Sequence, residues 1–279
     1  VYTARHELAL AVISVSFGFL GLTYLATLAL NLTLWQVFHI TAGGGSEYLL
    51  TSRMCFGDQV TKNVTGKLWG LVYQAALKTD VVPVGSIVQG NIVIYVLSIL
   101  STVFASLALI VYPTLPLLVV AFLVVGAALS AYFVSSDHLY KLLQRISRLS
   151  SKIQLASEVP ATDLRLSSRV VIYILLTSLY VLSNVFLLFV FYDFTLPEAL
   201  KLTAYLGIAW LAGLVVAITP SGLGVREAVF VAIGTISDPG SYQLYAGIAI
   251  VARVVQVGQD LLSAFLVPGV VGLVGRRSS

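Results

Sequence analysis

The sequence predicts an all-α integral membrane protein with about six transmembrane helices and two re-entrant helical hairpins, arranged as pseudo-repeated halves. Composition is the first reason. Of 279 residues, 58% are apolar and only 10% charged, against about 25% charged in a soluble domain. Sixteen Lys/Arg and 12 Asp/Glu cannot cover the surface of a soluble chain this size, and the mean hydropathy is +0.98. Charge placement is the second reason. No charged residue lies between Asp80 and Asp137 or between Arg169 and Asp193, and from Leu8 to Gly45 there is no Asp, Glu, Lys or Arg and a single histidine, His39. Uncharged apolar runs longer than the roughly 20 residues needed to cross a bilayer read as transmembrane helices. The third reason is that each half also holds apolar stretches too short to cross, bounded by turn residues.

The first span is expected from about Glu7 to Ile40, longer than one straight crossing needs, so it is tilted or protrudes; Gly43-Gly44-Gly45 ends it. Glu47–Gln59 and Val64–Leu77 follow, each too short to span and between them carrying Arg53, Asp58, Lys62 and Lys67. Two short helices entering and leaving on one side fit better than a crossing, and such backbone survives at membrane depth only when buried in protein or lining a wet cavity. Val84–Val111 is the second span, with Gln89 and Asn91 near its start, and Pro113–Pro116 turns the chain into the third, Leu117–Val134.

Between the halves the character changes. Lys141, Arg145, Arg148 and Lys152 fall on one helical face, with Leu142, Ile146, Leu149 and Ile153 on a neighbouring face. This is an amphipathic helix at headgroup level, binding anionic lipid heads. With Arg165 and Arg169 added, the basic excess places the loop in the cytoplasm by the positive-inside rule.

Val170–Tyr192 is the fourth span and Ala199–Ile218 the fifth, joined by a tight outer turn. Thr219-Pro220-Ser221-Gly222-Leu223-Gly224 then breaks the chain before the short apolar run Val225–Ile236, and Asp238-Pro239-Gly240 precedes the sixth span, Tyr242–Val271. The chain therefore reads as a single polytopic membrane domain, 1–279. Its first half, 1–135, contains the hairpin 46–80; a linker, 136–168, follows; the second half, 169–279, contains the re-entrant region 219–240. If 219–240 is a hairpin, Arg276 and Arg277 end outside, against the charge rule; if it crosses, they end inside.

Several classes are excluded. Cys55 is alone, so neither an intramolecular disulfide nor a thiolate metal site can form. A formal charge of +4 and a pI near 9.1 are too small to predict nucleic-acid binding. There is no His-Glu-x-x-His, Gly-x-Ser-x-Gly or dinucleotide fingerprint, and His6, His39 and His138 lie far apart. Thr65-Gly66-Lys67 resembles the end of a phosphate loop, but the first glycine is missing and Leu68 replaces the Ser/Thr. The Asn31 and Asn63 glycosylation triplets carry no weight, since Asn31 lies inside a span. No catalytic residue, metal or cofactor is expected. The start at Val1, without Met, predicts that a segment precedes it.

The chemistry therefore rests on a few ionisable residues at membrane depth, where each costs roughly 2.5–3.5 kcal/mol at a helix centre. After Pro220, the glycines Gly222 and Gly224 allow a tight turn and a short helix starts near Val225. Its free N–H groups and positive dipole end, beside Arg226, suit a phosphate or other anionic head group. A structural ion pair of Arg226 with Glu227 or Asp260, holding a kink, fits the spacing equally well. Arg253, Gln256 and Asp260, at i, i+3 and i+7, put a polar stripe on the last helix, which either lines a cavity or makes interhelical hydrogen bonds. Lys67 is a second cation for an anionic ligand or a lysine snorkelling to the interface. Trp69 and Trp210 read as interface anchors or packing residues.

The stretch Thr219–Ala228, with its Gly-Leu-Gly-Val-Arg-Glu-Ala core, resembles the Pro-Gly-Gly-Leu-Gly-Val-Arg-Glu-Ala signature of the lysylphosphatidylglycerol synthase transmembrane, or flippase-like, family. Asn63–Trp69 is similar to its Tyr-Ile-Pro-Gly-Lys-x-Trp segment, and Arg253 through Asp260-Leu261-Leu262 to its final helix. The resemblance covers nearly the whole chain. It implies a bundle with re-entrant helices that moves lipids between leaflets, and carries over Gly66, Lys67, Gly222, Gly224, Arg226, Glu227 and Arg253. Thr65 stands where a Pro is usual, Ser221 for a Gly, and Gln89 for an acidic residue, which weighs against a proton-linked role there.

The expected function is a lipid translocase of the cell membrane. It moves an anionic phosphate-bearing lipid (a phospholipid, aminoacyl-phospholipid or polyprenyl-phosphate-linked head group) through a cavity where the two hairpins meet. Lys67, Arg226 and Arg253 receive the phosphate, with Gln256 beside them and Glu227 and Asp260 balancing the charge. The rival readings are a membrane-embedded transferase acting on lipid phosphates and a non-catalytic partner of a lipid-modifying synthase or glycosyltransferase. Membrane lipids are the expected partners, nucleic acid is not, and a homo-oligomer stays open.

Overall fold

The computed structural model describes residues 2–43, 48–64, 67–77, 82, 84–112, 114–134, 166–191, 194–216 and 222–277. Side chains are described from Ser16 onward within these, except at 42–43, 62–64, 67–69, 71, 84, 191 and 274–277. Among the described residues all regular structure is helical. The helices are α1 (Tyr2–Gly43), α2 (Tyr48–Val64), α3 (Lys67–Ala76), α4 (Val84–Val111), α5 (Pro116–Phe133), α6 (Leu166–Phe191), α7 (Leu196–Val215), α8 (Val225–Ser237) and α9 (Tyr242–Arg277). Six of them, α1, α4, α5, α6, α7 and α9, are long and apolar enough to cross a membrane. They correspond to the six expected runs, so the chain is an all-α, multi-pass membrane protein. At a rise of about 1.5 Å per residue, α3 and α8 reach roughly 15 and 20 Å and cannot cross a hydrocarbon core of about 30 Å. The linker face of Lys141, Arg145, Arg148 and Lys152 lies outside the described residues.

Two boundaries differ from the sequence expectation, each for a local reason. α7 starts at Leu196 and ends at Val215, three residues ahead of the expected frame. Its first turn is set by a capping box: Glu198 Oε2 accepts the Thr195 N–H at 2.8 Å and the Thr195 hydroxyl at 2.6 Å. Pro197 falls in the first turn, where its missing N–H does no harm. The start of α6 moves to Leu166, because Arg169 is not a loop residue. It is buried, and its Nη1 donates to the Ala131 carbonyl at 3.0 Å. That oxygen lies in the last turn of α5, where no backbone N–H remains to satisfy it.

Packing follows from where small residues let helices approach. α1 runs along α6 and also meets α4 and α2; α4 touches α1, α3, α5, α6 and α7; α9 bridges α2 and α8. A Cβ at Gly207 of α7 would lie 2.7 Å from Tyr180 Oη of α6, with Ser106 Oγ of α4 nearer still, so these helices pack closer than an alanine allows. One buried cluster joins Leu188, Leu202, Phe230 and Ile248, from α6, α7, α8 and α9. A second joins Phe38, Met54, Ile87 and Val267, from α1, α2, α4 and α9. α9 thus seats its first half in one cluster and its far half in the other, and its polar stripe falls at the seam. Large apolar side chains such as Leu117, Val215 and Phe265 stay exposed on the outside, as a surface meant for lipid requires.

Candidate functional site

Within the bundle lies a cavity of about 300 Å³, walled by α1, α4, α6, α7, α8 and α9 and reached from α2 by Gln59. Arg226, Glu227, Arg253, Gln256 and Asp260 all line it. The stripe of α9 therefore faces a cavity, and through Gln256 it also meets α8.

The two arginines converge on one neutral acceptor. Arg226 Nη1 and Arg253 Nη1 each donate to Gln256 Oε1, both at 3.4 Å. Arg226 Nε and Arg253 Nε and Nη2 are buried without a hydrogen-bond partner. Arg226 lies within electrostatic range of Arg253, which repels it, and of Glu227 and Asp260, which attract it. Two guanidinium groups sharing one amide oxygen keep N–H donors open, and open charged donors inside a bundle match an anion with several acceptor oxygens.

The local backbone explains how Arg226 reaches this position. Gly222 (φ 74) and Gly224 (φ 83) are left-handed, a region costly for residues with a Cβ. At Gly222 a Cβ would lie 2.8 Å from Gly213 Cα, 2.9 Å from Gly213 O and 3.0 Å from Arg226 Nε. At Gly213 of α7 a Cβ would collide with Arg226 Cγ and sit 2.8 Å from Nε. The Arg226 side chain thus lies across a glycine platform built from α7 and the turn. Its Cζ is 5.8 Å from the Trp210 ring centroid, in cation–π range. Trp210, expected as an interface anchor or packing residue, instead lines the cavity.

The start of α8 supplies part of its own capping. Glu227 Oε2 accepts the Gly224 N–H at 2.7 Å, so the chain supplies its own carboxylate at that helix end. The guanidinium groups add buried N–H donors without a partner beside that helix start.

Of the expected residues, Arg226, Glu227, Arg253, Gln256 and Asp260 come together around the cavity, and Gly222 and Gly224 shape the turn before α8. α3 begins at Lys67, whose side chain lies outside the described residues, as do Gly66 and the side chain of Trp69. Gln89 is buried in α4 and does not line the cavity. Of the two expected hairpin regions, the first contributes Gln59 and the second Arg226, Glu227 and Phe230, within a wall made mainly by spanning helices. Beyond Trp210, sequence reasoning missed Gln259, one residue before Asp260 in the stripe, and Asn31, dismissed with a glycosylation triplet. Gly213 carries no signal in isolation.

Among the described residues no cluster of His, Cys, Asp and Glu could hold a metal ion. No family model, curated protein or solved structure matches the chain.

Proposed function

We propose that the protein is a lipid translocase of the cell membrane that takes the phosphate of an anionic lipid head group into this cavity. The observation that carries the reading is the pair Arg226 and Arg253, sharing Gln256 Oε1 while other N–H groups stay without a partner beside a cavity. A charge inside a membrane bundle is expensive. Two adjacent cations with open donors are hard to explain by stability and are accounted for by an anion that visits. Burying a head group among fixed donors replaces the water it loses, while acyl or prenyl tails remain in lipid at no cost. Glu227 and Asp260 hold the net charge low, so that binding stays weak enough for release. The resemblance of Gly222–Ala228 to the flippase-like signature supports the same reading.

The test is transport of tail-labelled phosphatidylinositol in proteoliposomes, followed by chemical quenching of the outer leaflet. Arg226→Ala is expected to slow movement by about tenfold or more, the loss of a charge-assisted contact, with the fold intact by circular dichroism. Unchanged movement by a folded variant rejects the mechanism.

A further inference from the structure

Part of the cavity wall is not explained by the arginines. Asn31 of α1, Gln59 of α2 and Gln259 of α9 line it and are only 6%, 8% and 7% exposed. Gln59 Nε2 donates to Asn31 Oδ1 at 3.2 Å. Asn31 Nδ2, Gln59 Oε1 and Gln259 Nε2 are left buried with no hydrogen-bond partner, as is the hydroxyl of Ser101 on the α4 wall. Exchanging O and N in the Asn31–Gln59 pair reverses the roles but still leaves one donor and one acceptor open. A buried amide without partners costs more than an ordinary hydrogen bond returns, so unmade bonds gathered on one cavity suit a polar occupant. Gln259 follows Arg253 by six positions, an axial distance of about 9 Å, comparable to the reach from a phosphate across one attached ring.

We propose that Asn31, Gln59 and Gln259 form a second, uncharged subsite that binds the hydroxyls of a polyol or sugar on the phosphate. The lipid carried would then bear a neutral, hydroxyl-rich phosphodiester head group rather than a cationic aminoacyl one. This rests on the reading of Arg226 and Arg253 as the phosphate site. A hydroxyl both donates and accepts, and so does an amide; each open position on this wall can be met by one. An ammonium only donates. It could meet Gln59 Oε1 and the carboxylates of Asp260 and Glu227, but it leaves the N–H groups of Asn31 and Gln259 without an acceptor and lies beside two arginines.

Binding, rather than movement, tests the subsite. The purified full chain in detergent is titrated by native mass spectrometry with short-chain phosphatidylinositol, phosphatidylmethanol and lysylphosphatidylglycerol. Phosphatidylmethanol has the charge of phosphatidylinositol without its hydroxyls. Phosphatidylinositol is expected to bind about tenfold more tightly, since a site built for hydroxyls discriminates against a ligand lacking them. In Gln259→Leu and in Asn31→Leu the ratio falls to within about twofold, whereas Arg226→Ala weakens both lipids alike. Four results overturn the proposal: no preference in the unaltered protein, a preference that survives both leucine substitutions, tighter binding of lysylphosphatidylglycerol, or equal competition by free inositol 1-phosphate, which would assign the site to a soluble phosphoester. Should a leucine variant not fold, Gln259→Met and the comparison of lipids on the unaltered chain decide. A preference without transport rejects the translocase and keeps the subsite; transport without a preference does the reverse.

Discussion

Where α2, α3 and α4 meet, the buried amides Gln74 and Asn91 find each other. Asn91 donates to Gln74 Oε1 at 2.6 Å and to the Ile87 carbonyl at 2.8 Å, and Gln74 donates to the Met54 carbonyl at 3.3 Å. Nearby, Thr51 Oγ1 lies 3.0 Å from His39 Nδ1 and 3.3 Å from Trp35 Nε1. Around α8, Arg226 and Arg253 share one acceptor and leave other N–H groups unmet. Both regions bury polar atoms beside a helix too short to cross. In the first the bonds tie α2 to its neighbours. In the second they are left for something else. The difference teaches that membrane-buried polarity alone does not locate a site; unmet charged donors gathered on one cavity do. Arg169 belongs with the first kind despite its charge, since it satisfies the end of α5.

The sharpest way to break this comparison is to remove one polar group from each region and read stability and transport together. Arg253→Met removes a charge with open donors and keeps the bulk. Lipid movement is expected to fall about tenfold or more, while thermal denaturation in detergent is unchanged or shifted upward, because the one bond lost is long, at 3.4 Å, and Gln256 Oε1 still accepts from Arg226. Asn91→Leu should do the opposite. It strands Gln74 Oε1, which costs about 1–3 kcal/mol, and leaves movement per folded molecule near normal. An Arg253→Met protein that unfolds, or an Asn91→Leu protein that is stable and inactive, dissolves the distinction.

Two glycines sharpen it at the next level. A Cβ at Gly57 of α2 would meet the Tyr73 ring of α3, with Cζ at 2.6 Å, so Gly57→Ala should loosen that helix pair and lower the melting temperature alone. At Gly222 the backbone is left-handed and Arg226 Nε is a neighbour of the missing Cβ. Gly222→Ala should cost about 1–2 kcal/mol in strain and also slow transport several-fold by displacing Arg226. Equal transport in the two variants, corrected for folded protein, would show that the glycine platform does not position the arginine.

The charge-free runs made the six spans legible in the sequence, because a bilayer excludes charge so strongly that its absence alone sets the count. The i, i+3, i+7 spacing likewise put Arg253, Gln256 and Asp260 on one face before any packing was known. What stayed hidden has local causes. The frame of α7 slipped because Thr195, Pro197 and Glu198 have loop character one at a time and form a helix start only together. Trp210 was expected to anchor at an interface or to pack, and it lines the cavity with the Arg226 guanidinium over its ring. Asn31 and Gln259 carry no charge, so nothing in the pattern sets them apart from amides satisfied within the bundle.

The smallest expected effect comes from a pair of carboxylates that do the same structural task in different places. Glu198 caps α7 at an exposed end, accepting from Thr195; Glu227 does so for α8, accepting from Gly224, and also lines the cavity beside Arg226. Glutamine keeps a carbonyl acceptor in both, so neither substitution should remove the cap, and both should melt close to the unaltered protein. Only Glu227→Gln changes the charge facing the ligand. With one anion fewer near the guanidinium groups, phosphatidylinositol should bind more tightly by roughly 1 kcal/mol, a factor of about five. Its movement should slow, because a head group held more strongly leaves less readily. Titration and flipping of the same lipid, on Glu227→Gln and Glu198→Gln side by side, separate these effects. Tighter binding with slower movement in the first variant and no change in the second would place Glu227 among the groups that set release. Identical behaviour would reduce it to a helix cap.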